Sequence, residues 1–573
     1  MKKFLLGLLV GFVFCVLAVV IFFFAAIRLS SRPPTIQGNS ILAFTVEGDI
    51  PESPPVEVPL PVFEQRSPPT VRDNWELLRK AAADSRIRAV VFMPQDLNAG
   101  WAKLQELRDN LLVFKKSGKP LYAYLRAPGT REYYVATAAD RIYMSPEDYL
   151  DLKGLRAELT FVKNTLDKLG VRAEVETAGK YKDFPEMFTR TSMSPETREV
   201  MNSILDDLFG QLTGAIGAGR KKTAEEVRAI IDRGPFISRE ALAAGLVDGL
   251  LYRDQVFGDL QRQLRLPELR TVSRRDYMTV PPQSVGVETG SRVAYVAASG
   301  DIVRSGGGPL SVGDMMTPRE MTRVLRSVAS DTGIKGAIVR IDSPGGDGFA
   351  SDEIWREMTL LSKKKPVVLS MSDVAASGGY YIAMTGDPVI AYPGTYTGSI
   401  GVFYGKADLR GLYNKIGIQK DMLTRGKFAD IDSDYTPLSP AAREKLRGEI
   451  QAFYKSFVQR VADGRRKPYA QVEPVAQGRV WLGTQARANG LVDSLGGIDH
   501  AIELLKKKAG IREGDKVRLV SYPPRRTLWE QLFSPASEPL ADSAVLRYLA
   551  RFARSTWVKG GIFRMMPYSI EVK

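Results

Sequence analysis

The sequence predicts an α/β protein, two tandem βαβ modules set behind one N-terminal transmembrane helix. Three observations carry that prediction. The chain repeats itself at a nearly constant spacing, each copy alternates β-branched runs with helical periodicity, and an uncharged apolar run opens the sequence. A length of 573 residues agrees, since about 150 residues per domain implies three or four units. Hydrophobic residues at 44% and charged residues at 25% are globular values and exclude disordered and low-complexity classes.

The first element is the membrane anchor, residues 1–28. Phe4 to Ile27 carries no charge; at about 1.5 Å per residue its helix would span about 36 Å, enough to cross a hydrocarbon core with some tilt. Lys2 and Lys3 precede it and Arg28 and Arg32 follow, a weak bias that favours an N-terminus inside. A cleaved signal peptide starts the same way, but the run is longer than such a core and ends in Phe22-Phe23-Phe24. Residues 29–70 then hold the first strand and a tether rich in proline, with Pro51, Pro54, Pro55, Pro59, Pro61, Pro68 and Pro69. Such a stretch is stiff and extended, so the body is expected outside the cytoplasm, close to the membrane.

The repeat follows. Ile41–Ile50 reappears as Val293–Ile302, 252 residues on. Asp84–Val91 matches Asp331–Ile338, Asp140–Pro146 matches Asp387–Pro393, and Gly179-Lys180-Tyr181 matches Gly426-Lys427-Phe428, all 247 apart. Pro195, Arg198 and Glu199 match Pro440, Arg443 and Glu444, and Gly245–Asp248 matches Gly490–Asp493, both 245 apart. Self-similarity at a nearly constant offset marks a duplicated module: residues 71–265, a linker at 266–290, and residues 291–510. In the second copy strands are expected at Val293–Ala297, Gly336–Ile341, Val367–Met371 and Val389–Tyr392, with helices at Pro318–Ser330 and Ala350–Ser362. Alternation of this kind argues for parallel strands with crossover helices, and sites then form at the carboxyl ends of strands.

Composition narrows the chemistry. Cys15, the one cysteine, lies in the apolar run, which excludes a disulfide framework, a thiolate zinc site and a soluble cysteine nucleophile. His500 is the one histidine and falls in an expected helix, Gly497–Lys508. Neither a metal nor another cofactor is expected, and a hydrolase here needs a base other than histidine.

Two motifs stand at strand ends. In Arg340-Ile-Asp-Ser-Pro-Gly-Gly346 a strand meets a double glycine, whose uncovered amides suit an oxyanion or a phosphate; a plain strand-to-helix turn explains it equally. In Met371-Ser-Asp-Val-Ala-Ala-Ser-Gly-Gly-Tyr-Tyr-Ile-Ala383, Ser377 precedes a helical run. It could cap that helix, but Ala375, Ala376, Gly378 and Gly379 would let an extended substrate reach the hydroxyl. A serine nucleophile needs a base, and a lysine whose pKa falls by about three units through burial can serve. Lys180 has a counterpart in Lys427 and belongs to the shared scaffold, whereas Lys182 faces Ala429. Ser377 aligns, allowing one gap, with Thr130. One copy keeps the lysine and the other the serine, as a duplicated enzyme pooling one site would.

With these residues the chain resembles the long-form signal peptide peptidase A family, membrane-anchored serine proteases of the crotonase-like, Clp-protease-like fold. The resemblance covers the anchor, both copies, Ser343-Pro-Gly-Gly346, the Ala-Ser-Gly-Gly-Tyr-Tyr segment, Gly398-Ser-Ile-Gly401 and Gly179-Lys-Tyr-Lys182. It implies Ser377 as nucleophile and Lys182 as general base and then acid. It also implies an oxyanion hole from the amides of Gly345, Gly346 and Gly378, with Ser399 orienting the lysine; a turn hydroxyl explains Ser399 equally. Asp347 and Phe349 stand where smaller residues are expected. The resemblance further implies signal-peptide substrates, a homotetramer, a bacterial inner-membrane address with a periplasmic body, and no cofactor.

The tail, 511–573, is basic and aromatic: residues 516–573 hold ten basic and four acidic side chains. Val545, Tyr548, Leu549 and Phe552 could share a helix face for anionic lipid, or dock on protein. The net charge, 80 basic against 65 acidic residues, favours anionic surfaces, yet no nucleic-acid motif accompanies it. A catalytically silent membrane scaffold is the alternative function; acyl-CoA chemistry is a third, in the wrong compartment.

Overall fold

The computed structural model describes residues 36–53, 68–305, 314–523 and 561–566, together with Gly7, Gly11, Phe14, Cys15 and Ala18. Apart from those five positions the expected anchor lies outside the described residues, as do most of the proline tether and the Tyr548 stretch. Among the described residues no helix is long and apolar enough to cross a membrane.

Continuous apolar runs become parallel strands buried on both faces. In the first repeat the order is Gly249–Leu250, Arg141–Met144, Leu121–Leu125, Ile87–Asn98, Ser40–Asp49, Arg270–Ser273, parallel throughout. The second repeat keeps that order in Ser494–Leu495, Val389–Ala391, Val367–Ala376, Ile334–Ser343, Ser291–Ser299, Val517–Tyr522, again all parallel, and adds Tyr396–Gly398 beside the end of Val367–Ala376 with the antiparallel Val480–Leu482 beyond it. The expected strands each fall on an observed one, and the helix expected at Pro318–Ser330 has those bounds. Val517–Tyr522 carries the second sheet past residue 510, into what the sequence reads as tail.

The repeat is visible in single bonds. Tyr133 donates to the Leu246 carbonyl at 2.7 Å, and Tyr380 to the Leu491 carbonyl at 2.7 Å. Helices Pro195–Arg220 and Pro440–Arg465 have the same 26-residue length, serine N-caps (Ser194, Ser439) and left-handed C-caps. Tyr133 and Tyr380 are 247 apart, which places Thr130 opposite Ser377 without the gap allowed on sequence.

A third sheet joins the repeats: Met315–Met316, Asp301–Ile302, Gly345–Asp347, Gly561–Met565, Val402–Asp408 and Arg172–Ala178. Its last pair, Val402–Asp408 against Arg172–Ala178, is an antiparallel ladder of seven paired positions between second and first repeat. This ladder decides where the residues after Ala178 go.

Between the two main sheets lies a buried charge network. Arg340 bonds Glu52 at 3.1 Å, Ser370 at 3.0 Å and Ser372 at 3.2 Å, and pairs with Glu106. Burial alone would lower the guanidinium pKa; Glu106 and Glu52 outweigh it and hold it raised. Lys103 pairs with Asp342 at 2.7 Å and Asp373 at 3.6 Å. First-repeat charges are thus neutralised by second-repeat charges, and losing one partner leaves the others buried unpaired. Arg340→Ala is expected to destabilise the chain by about 3–5 kcal/mol, read as a lower urea midpoint; an unchanged midpoint would mean that the network contributes nothing.

Candidate active site

The strand Val367–Ala376 ends at Ser377, whose backbone turns to φ 52°, ψ −112° before the short helix Gly378–Ile382. A non-glycine residue there is strained by about 1–3 kcal/mol. The strain is held by Ser377 N–H donating to the Gly398 carbonyl and Tyr381 N–H donating to the Ser377 carbonyl, both at 2.8 Å. The side chain therefore does not cap its helix; it points away, toward the other repeat.

From that side comes Lys182, four residues past the strand Arg172–Ala178. Its Nζ lies 3.0 Å from Ser377 Oγ, 2.9 Å from Ser399 Oγ and 3.2 Å from the Ser399 carbonyl. A neutral amine has two N–H donors and one lone pair. The Ser399 oxygens, the carbonyl above all, suit the donors, leaving the lone pair to accept from the Ser377 hydroxyl. Lys182 is 4% exposed, Ser377 and Ser399 are 0% exposed, so no bulk water competes. Burial pulls the lysine pKa down to about 7, against a smaller upward pull from Asp183. Lys180 is not in this group: it is exposed and lies over the Tyr181 ring.

Gly345 and Gly346 form the strand beside the Gly378 helix. Gly346 has φ +151°, and a Cβ there would lie 2.0 Å from the Ile302 carbonyl, so no side chain fits. The Gly345 amide already donates to Ser343 Oγ at 3.2 Å. Gly378 opens a helix, where amides lack intrahelical acceptors. Asp347, where a smaller residue is expected, caps the helix Gly348–Ser362 through the amides of Phe349 and Ala350. Phe349 is 46% exposed with Arg304 over its ring. The chain's own Gly561–Met565 runs antiparallel along Gly345–Asp347, so that edge accepts an extended peptide.

Two features escape the sequence reading. The turn Gln477-Gly478-Arg479 clamps both halves: Tyr181 N–H donates to the Gln477 carbonyl at 2.7 Å and Ser399 N–H to the Arg479 carbonyl at 2.8 Å. A Cβ on Gly478 would lie 2.7 Å from the backbone nitrogen of Lys182. Gly478, at φ 76°, is the one signal, a residue suited to positive φ. The second is Asp183, whose carboxyl burial raises to about 7 while Thr197 Oγ1 donates to it at 3.0 Å. His500 bonds Ser494 at 2.8 Å and takes no part.

Residues 113–266 and 359–512 each match the model of peptidase family S49. The chain is 36% identical to the chloroplastic serine protease SPPA of Arabidopsis thaliana, covering 85% of this chain and 71% of that one. It is 32% identical to Protease 4 of Salmonella typhi, over 77% and 72% of the two chains. Protease 4 of Haemophilus influenzae is 30% identical over 77% and 73%. A solved ClpP1 mutant from Listeria monocytogenes overlaps 36% of this chain and 94% of its own at 15% identity and TM-score 0.24, too slight a likeness to argue from.

Proposed function

The chain belongs to peptidase family S49, and from that membership we propose a serine endopeptidase with a Ser377/Lys182 dyad, acting on signal peptides and similar apolar peptides at the membrane. The observation that supports the dyad is the 3.0 Å contact between Nζ and Oγ of two buried side chains. Lys182 takes the Ser377 proton as Oγ attacks a peptide carbonyl. The amides of Gly346 and Gly378, and of Gly345 if Ser343 Oγ releases it, hold the oxyanion. The lysine ammonium then protonates the leaving amine, and an acyl ester remains on Ser377. Water, losing its proton to the now neutral Lys182 amine, attacks that ester; Lys182 returns the proton to Ser377 Oγ and the acid product leaves. A substrate main chain would take the edge of Gly345–Asp347 where Gly561–Met565 lies.

The same reading includes an N-terminal helix anchored in the bacterial inner membrane, a periplasmic body and a homotetramer. The test is a fluorophosphonate reporter on the full-length chain in membranes, with the adduct located by mass spectrometry. An adduct on Ser377 is expected; none, or one elsewhere, removes the assignment. Ser399→Ala leaves Lys182 only the carbonyl at 3.2 Å, so kcat is expected to fall by up to about 10²-fold with KM unchanged. A KM effect alone would make Ser399 a substrate contact instead.

A further inference from the structure

Lys182 shares its turn with a second buried group, Asp183, which is 5% exposed. The turn is tight: Asp183 N–H donates to the Tyr181 carbonyl at 3.0 Å, and the Asp183 carbonyl accepts from Glu186 N–H at 2.8 Å. Both acid side chains thereby meet the start of helix Pro195–Arg220 on a single hydroxyl. Thr197 Oγ1 lies 3.0 Å from Asp183 Oδ2, from Glu186 Oε2 and from Ser194 Oγ alike.

If both acids are ionised, these contacts are short of one hydrogen. The Ser194 hydroxyl donates to Thr197 Oγ1, while Ser194 Oγ accepts the Thr197 N–H at 3.1 Å. Thr197 then has one hydrogen for two carboxyl oxygens. Two carboxylates would leave a bare oxygen–oxygen contact while standing no more than about 6 Å apart, near enough for one to keep its proton. A hydroxyl offers one donor and two acceptor lone pairs, and one acid proton fills all three places. Glu186 is the member suited to carry the charge. It is only partly buried, accepts from Ser194 N–H at 3.1 Å and has Arg190 at 4.0 Å. Asp183 is the deeper of the two, and burial, then Glu186, push its carboxyl up.

The repeat ties this trio to the lysine. Asp183 and Ser194 have counterparts in Asp430 and Ser439, but Glu186 and Thr197 face Ser433 and Ala442. Like Lys182, which faces Ala429, the residues that complete the trio occur only in the copy that supplies the base.

We infer that Asp183 is a positioning residue for the lysine: as a neutral acid it donates to Thr197 Oγ1 while Thr197 donates to Glu186. When Asp183 ionises, the Thr197 hydrogen turns to it and a negative charge stands beside the Lys182 amine. That charge favours the ammonium, which cannot take the Ser377 proton, so the neutral acid keeps the amine free. The charged groups around Asp183 are Lys182 on its own turn and Glu186, with Arg190 behind it, on the next helix. Helix Pro195–Arg220 brings the uncharged Thr197 and its cap Ser194; its Arg198 and Glu199 are exposed, and Glu199 pairs with Arg479. The inference rests on the proposed Ser377/Lys182 dyad.

The test uses the full-length chain in detergent and two readouts. Infrared difference spectra, wild type minus Asp183→Asn, are expected to show the carbonyl stretch of a carboxylic acid at pH 6 that is gone by pH 9. No such band at pH 6 would overturn the shared proton, whether or not the dyad stands. The pH profile of kcat/KM on a peptide fluorophore reads the effect on the base, with opposite signs in two variants. Asp183→Asn removes the charge, so the acid limb is expected to move to lower pH by up to about one unit. Glu186→Gln lets Asp183 ionise earlier, because the neighbouring charge is gone and the amide can supply the hydrogen to Thr197. Its acid limb is expected to move to higher pH. Limbs that stay in place, or move the same way in both variants, would overturn the coupling; a lower kcat on an unmoved limb is the mark of a purely structural role. A missing fluorophosphonate adduct on wild-type Ser377 would instead strike the dyad and leave the infrared band to decide Asp183.

Discussion

Ser377→Ala is expected to lose peptide turnover by about 10³-fold or more and to take up no fluorophosphonate, while the chain folds and assembles as wild type. Deleting the nucleophile of a dyad leaves only what the oxyanion donors and substrate binding provide, and nucleophile deletions of this kind cost up to about 10⁶ in kcat. The fold should tolerate it, because the bonds that hold the turn use the backbone of Ser377, its N–H to Gly398 and its carbonyl to Tyr381. A glycine allows a finer comparison. With φ at 52° and ψ at −112°, serine and alanine share the strain and glycine does not. Ser377→Gly is therefore expected to be equally inactive yet to unfold at a higher midpoint than Ser377→Ala. Turnover that survives in either variant would remove Ser377 from the mechanism.

The duplication made most of this fold legible, because a constant offset aligns strands, caps and glycines that carry little signal singly. It also chose the lysine. Lys180 and Lys182 lie two residues apart and look alike in composition, but only Lys182 lacks a counterpart, and only Lys182 reaches Ser377. What stayed hidden are contacts made by chain closure over long separations. Gln477 bonds Tyr181 from 296 residues away, and no local pattern announces that meeting. Glu52, set within a proline-rich stretch, reads as tether and is instead buried against Arg340. Gly561–Met565 was equally opaque: its apolar character fits tail, strand or membrane contact, and only the edges of Gly345–Asp347 and Val402–Asp408 make it a strand. Asp347 shows the converse, a residue out of place on a substrate wall that is well placed as a helix cap.

Lys182→Met is expected to abolish turnover as thoroughly as Ser377→Ala, and its stability separates a buried free amine from an ordinary lysine. In the folded chain the amine titrates near 7 because burial penalises its charge, against an ordinary value of 10.5. Wild-type turnover should therefore fall about tenfold per pH unit below 7 and level off above it. The sign for stability follows from proton counts. Between about 7 and 10.5 the unfolded chain holds a proton that the folded chain has released, so stability rises with pH across that window. At neutral pH this burial costs about 4 kcal/mol. Methionine removes that cost but leaves the Ser377 and Ser399 hydroxyls without the amine, at about 1–3 kcal/mol each. The useful quantity is thus the pH dependence of the difference. Methionine is expected to gain on wild type at pH 7 relative to pH 10, measured as urea midpoints at both pH values. Asp183 is already ionised above its own value of about 7 and so adds little to that difference. A difference that does not move with pH would mean that Lys182 stays charged in the folded chain, and a charged lysine cannot take the proton of Ser377.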